Sequence, residues 1–139
     1  LMQNKNLMCV GGTILSTENT MYSNLPFVVY DPFARVNQLF GISLVWGPNT
    51  AVRKDAFMKV GGFDTNLRTG DDWEFTLRIQ KKFGIRSTLY TNALRVKTSP
   101  RKQKKLKALI PYLFFGVINY ISIFIFRRSK TYGSPIMVR

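Results

Sequence analysis

Gly61-Gly62-Phe63-Asp64-Thr65-Asn66-Leu67-Arg68-Thr69-Gly70-Asp71-Asp72-Trp73-Glu74 is the stretch on which the reading of this chain turns. A two-glycine turn closes one short element, a small polar loop follows, and adjacent carboxylates open the next. From Asp71 onward, Phe75, Ile79 and Phe83 recur at four-residue spacing and Gly84 supplies a stop, so the sequence predicts a helix over 71–83. Asp71 and Glu74 stand three apart, the spacing of a capping box in which each satisfies a free backbone N–H. Asp72 is left in the first turn without a structural task, its ionised form favoured by the helix N-terminus. A carboxylate held there can accept a proton from a hydroxyl as that oxygen attacks.

Upstream, residues 7–15 are apolar but interrupted by Gly11-Gly12, the pattern of a strand running into a turn. Residues 27–30 are apolar, and Pro32 limits any strand or helix there. Residues 35–40 suggest a short helix ending at Gly41, and 42–46 a buried strand bounded by Gly41 and Gly47-Pro48. Residues 55–60 read as a short helix closed by Gly61. Downstream, 85–90 and 93–96 read as two short strands. The class is mixed α/β, too strand-poor for a complete doubly wound sheet.

The chain has 139 residues, room for one domain of ordinary size. A lone Cys9 cannot form an internal disulfide, and the lack of histidine removes His-based triads and His metal sites. Residues 1–10 show no basic-then-apolar signal pattern. The net charge of +14 is uneven: residues 1–50 balance, while 101–139 carry nine basic and no acidic side chains.

That last part also holds nineteen uncharged residues, Ala108 to Phe126. As a helix they would reach roughly 28 Å, near the thickness of a bilayer core. Arg101, Lys102, Lys104, Lys105 and Lys107 precede them, and Arg127, Arg128 and Lys130 follow, a pattern suited to anionic headgroups. Pro111, Gly116, Asn119 and Ser122 make the span imperfect, so crossing the membrane and lying in its interface both stay open. Nucleic-acid binding is disfavoured, because the aromatics cluster inside the uncharged run instead of alternating with the lysines.

Taken in order, Gly47-Pro48-Asn49-Thr50-Ala51-Val52-Arg53-Lys54, then Val60-Gly61-Gly62-Phe63-Asp64, then Thr69-Gly70-Asp71-Asp72-Trp73-Glu74-Phe75-Thr76-Leu77-Arg78 resembles the C-terminal half of family-2 glycosyltransferases of the GT-A fold. In that family the second acid of the pair serves as catalytic base, a role the resemblance gives to Asp72, with Asp71 in place of the more usual Glu. Asp71, Trp73 and Gly70 would then bind or support the acceptor, with Trp73 stacking on a sugar ring or packing internally. Lys97 and Arg101 would contact phosphate or lipid headgroups. The stretch Val96-Lys97-Thr98-Ser99-Pro100-Arg101-Lys102 is similar to one that precedes a membrane segment in some members.

The resemblance implies a nucleotide-sugar donor, a sugar or lipid-linked acceptor, and a divalent metal, Mg or Mn, held through an Asp-x-Asp motif. No Asp-x-Asp occurs in the sequence. The expectation is therefore a partial GT-A half-domain over 1–100, beginning just downstream of the donor site and inactive alone. A C-terminal hydrophobic helix and tail over 101–139 would hold it at a membrane, with the catalytic part cytoplasmic. The alternative is a non-catalytic basic membrane-binding module, in which Asp71 and Glu74 only cap a helix. Arg78 reads as a surface charge, and Asn49 as a residue that orients its loop.

Overall fold

In the computed structural model, which describes residues 4–18, 20–65, 67, 70–100, 110, 114 and 116–122, six regular elements follow one another. They are β1 (Cys9–Ser16), α1 (Met21–Leu39), β2 (Thr50–Val52), α2 (Lys54–Lys59), α3 (Asp71–Phe83) and β3 (Thr88–Thr98), with 3₁₀ turns at Gly47–Asn49 and Ile85–Ser87. The sheet order is β2-β1-β3, with β1 antiparallel to β2 and parallel to β3.

β1 runs straight through Gly11-Gly12, where the sequence suggests a turn. These glycines serve close approach. A Cβ on Gly11 would stand 2.5 Å from the Val45 side chain, and one on Gly12 would collide with the Leu94 carbonyl. β3 is one long strand where two short ones are expected. Gly12 pairs with Thr91 but Thr13 pairs with Arg95, so residues 92–94 bulge out of the ladder. Buried Asn49 fills the gap: its Nδ2 donates to the Thr13 carbonyl at 3.0 Å and the Leu94 carbonyl at 3.2 Å.

α1 is the largest departure from the sequence reading. Its nineteen residues pass through both Pro26 and Pro32, each of which removes a backbone bond and costs about 3 kcal/mol in an ordinary helix interior. Thr20 caps the start by accepting from the Ser23 N–H, and Phe27, Tyr30 and Ala34 bury one face. Tertiary packing overrides the local breakers. Residues 42–46, expected as a buried strand, form none. Their backbone is held from the side instead, by Tyr30 Oη donating to the Leu44 carbonyl, and Ser43 Oγ donates to the Thr88 carbonyl.

Two clusters form the interior. One joins Cys9, Val45, Ala56, Phe75 and Ile79, tying β1 to α2 and α3. The other is aromatic: Tyr30, Ala34 and Tyr90, with Phe33, Trp46 and Trp73 packed against them.

The expected architecture, a partial GT-A half-domain followed by a C-terminal hydrophobic helix, is corrected by these observations. The protein is a small mixed α/β unit on a three-stranded sheet. Among the described residues no helix is long and apolar enough to cross a membrane. Most of 101–139 lies outside the described residues. Within Ala108–Phe126, Gly116 to Ser122 are helical, but Asn119 and Ser122 are buried and Tyr120 Oη donates to Asn37 Oδ1 at 2.6 Å. Tyr120 docks the segment on α1.

Candidate functional site

α3 begins where the sequence predicts, but its start is built differently. Gly70 is the N-cap, in the left-handed region at φ 74°, with no side-chain cap bond, so the capping box of Asp71 and Glu74 does not form. Glu74 turns along the helix and takes both carboxylate oxygens to Arg78 Nε, at 2.7 and 2.9 Å. Arg78 is no surface charge. Its two terminal nitrogens donate to the Val60 and Gly62 carbonyls, and its guanidinium lies 5.7 Å from the centre of the Phe75 ring. It therefore clamps α3 to the two-glycine turn, where Gly61 (φ 82°) and Gly62 (φ 70°) are both left-handed. Phe63, next in the chain, packs on Phe57 and Phe75.

Asp72 has the partner that the sequence does not supply. Its Oδ2 accepts the Gly47 N–H at 2.8 Å, and its Oδ1 accepts the Trp73 N–H at 2.9 Å. The side chain is half-buried. Burial pushes its carboxyl up to about 6, with the Asp71 charge adding to the rise and the backbone bonds opposing it. Each oxygen of a carboxylate has two lone pairs, so each keeps one beyond its backbone bond. The group is fixed in orientation, mostly ionised at neutral pH, and basic enough to take a proton.

Trp73 turns inward. It stacks on Tyr30 at 6.2 Å and 16° and meets Tyr120 and Phe33 at 6.3 Å. Its indole Nε1 is buried with no partner among the described residues. Lys97 is exposed on β3, opposite Leu15, while Arg101 lies outside the described residues. The structure thus brings Gly70, Asp71, Asp72 and Trp73 together at the start of α3 and leaves Lys97 on the sheet.

A second polar cluster escapes sequence reading. Asp31, on α1, accepts from Thr13 Oγ1 (2.7 Å), Tyr90 Oη (2.9 Å) and Arg35 Nε (2.8 Å). Desolvation pushes its carboxyl up, but these bonds and the Arg35 charge outweigh it and hold it below the usual range. The cluster ties α1 to β1 and β3 just before Pro32, at a position where the following proline disfavours helix. The Asp31–Arg35 spacing of four was a visible signal, masked by Pro32.

An open groove of about 540 Å³ lies between the end of α1 and the start of β3, lined by Gln38, Gly41, Ser43, Ile85 and Thr88 among others. None of the candidate site residues Gly70, Asp71, Asp72, Trp73 and Lys97 lines it. Among the described residues no group of three or more His, Cys, Asp or Glu side chains converges, and the divalent metal that the resemblance implies belongs to an Asp-x-Asp motif that this sequence does not contain. No family model, curated protein or solved structure matches the chain. The likeness to family-2 glycosyltransferases therefore rests on the residues of 47–78 themselves.

Proposed function

We propose that this chain carries the acceptor side of an inverting glycosyltransferase, with Asp72 as general base. In this reading Asp72 takes the proton of an acceptor hydroxyl as that oxygen bonds to the sugar's anomeric carbon. The bond from that carbon to the nucleoside diphosphate breaks on the opposite face, and the diphosphate leaves with its electron pair. The observation that supports it best is the state of Asp72 itself: half-buried, raised to about 6, and aimed by the Gly47 and Trp73 N–H groups. No step is routed through a metal.

The experiment is turnover of a panel of nucleotide-sugars, with Mg²⁺ or Mn²⁺ supplied, by protein containing this chain in wild-type and Asp72→Asn form. Loss of a positioned base lowers the rate by about 10²–10⁴-fold with donor affinity spared. The wild-type rate rises with pH through about 6, as Asp72 ionises, and then levels. Retained turnover in Asp72→Asn overturns the assignment.

One observation favours a second reading, a non-catalytic basic module. The bond from the Gly47 N–H gives Asp72 a structural task, linking the 47–49 turn to α3. That reading predicts that Asp72→Asn alters stability alone.

A further inference from the structure

α1 is apolar on two sides: Phe27, Tyr30 and Ala34 face the core, and a second apolar stripe faces outward. Ser23 and Asn37 are buried, Asn37 at 6 % exposure, while Leu39 is 85 % and Met21 74 % exposed. Exposed Met21, Val28, Val29, Pro32, Val36 and Leu39 fall within an arc of roughly 100° at 3.6 residues per turn. Arg35 is the one charged residue exposed among the described side chains of α1, and it stands at the border of that arc. Phe40, just past the helix, continues the stripe at 79 %.

The second helical segment also leaves apolar side chains outward. Asn119 and Ser122 are buried, whereas Ile110, Phe114, Val117 and Ile121 are exposed at spacings of four, three and four. Tyr120 packs edge-on against Phe33 at 4.8 Å and hydrogen-bonds Asn37, so this segment lies alongside α1. Two neighbouring helical segments therefore each leave an apolar stripe outward among the described residues. Uncovered apolar patches of this extent mark a binding surface.

The sequence indicates what covers them. Arg101, Lys102, Lys104, Lys105 and Lys107 immediately precede Ile110, with no acid anywhere in 101–139. An apolar stripe in a chain whose preceding sequence segment is a run of cations is complementary to an anionic bilayer surface, where apolar side chains enter the acyl boundary and ammonium groups meet headgroups. We infer that the exposed stripe of α1, with Ile110, Phe114, Val117 and Ile121, is a surface that lies in the interface of an anionic lipid bilayer. The inference needs no membrane-crossing helix, and it stands whatever the role of Asp72.

The test is flotation of the full chain with phosphatidylcholine vesicles, plain or containing about 30 % phosphatidylglycerol to supply anionic headgroups. The chain floats with the anionic vesicles, and Leu39→Ser combined with Phe40→Ser weakens partitioning by at least about tenfold at unchanged thermal unfolding. A solvent-sensitive fluorophore on Val36→Cys shifts to the blue on those vesicles, and the same label on Asn92→Cys, in the β3 bulge, does not. Cys9 does not compete for label, since it is fully buried and burial pushes its thiol up to about 12. Failure to bind anionic vesicles overturns the inference, as does undiminished binding by the double variant. A Val36 label that shifts in buffer alone, by self-association, also overturns it and assigns the face to a second copy.

Discussion

α3 and α1 solve opposite problems with the same backbone. α3 buries Phe75, Thr76, Ile79 and Gln80 and exposes Lys81 and Lys82, with acids in its first turn and lysines in its last, as the helix dipole favours. α1 has no acid in its first turn and no base in its last, contains two prolines, and exposes Val28, Val29, Val36 and Leu39. α3 is built for water on one side and a core on the other. α1 buries Phe27, Tyr30 and Ala34 and leaves a second apolar side outward. The difference teaches that hydrophobicity along a chain does not by itself say which face is the core.

The sharpest way to break this comparison is to cut an apolar side chain from each helix. Ile79, at 0 % exposure in the cluster with Cys9 and Phe75, loses about 2–5 kcal/mol of stability on change to Ala. Leu39→Ala changes stability by no more than about 0.5 kcal/mol, because its side chain already stands in solvent. Urea unfolding of the two variants measures both numbers. A cost for Leu39→Ala close to that of Ile79→Ala would mean that the α1 stripe is a buried core face in solution.

A smaller effect tests what holds α1 in place. Asp31→Asn weakens three bonds, those from Thr13, Tyr90 and Arg35, and costs about 2 kcal/mol. Because the folded carboxyl is held below its ordinary value of 3.8, its contribution is complete above that pH. It is lost as pH falls through the folded value. Wild type and Asp31→Asn therefore converge in stability in acid and separate toward neutral pH. A gap independent of pH would assign the cost to packing and not to the charge.

The same contrast explains what was legible in the sequence. α2 and α3 were readable because period, charge and glycine stops agree, and the structure places α3 over the predicted residues. α1 was hidden because Pro26 and Pro32 are local breakers, whereas the contacts that override them, Tyr30 to Trp46 and Asp31 to Thr13 and Tyr90, come from distant segments. β2, three residues long, has too little pattern to register. Asp72 was visible as the odd acid at a helix start, but its partner Gly47 lies 25 residues away and donates through its backbone, which leaves no mark in side-chain spacing. Arg78 was misread for the same reason: two of its acceptors are main-chain carbonyls.

Asp72 is where the comparison becomes functional, since a helix start normally gains from an ionised acid. Here the unfolded chain ionises Asp72 near 3.8, while the folded chain keeps the proton up to about 6. Between those values the folded state binds more protons, so stability falls as pH rises through that window, by an upper limit of about 3 kcal/mol. Asparagine removes this penalty but accepts through one oxygen only, and so forfeits one of the bonds from Gly47 and Trp73, about 1 kcal/mol. The expected outcome is that Asp72→Asn is more stable than wild type by up to about 2 kcal/mol well above pH 6, and that the gain reverses to a deficit of about 1 kcal/mol below about pH 4, where only the lost bond remains. Thermal unfolding of both proteins from pH 3.5 to 8 measures it. A stability gain of that kind in the variant is what the proposed base predicts, because a group held for its ionised form would cost stability in that form. Parallel unfolding curves across the whole range would reverse that judgement and make the bond to Gly47 the reason for Asp72.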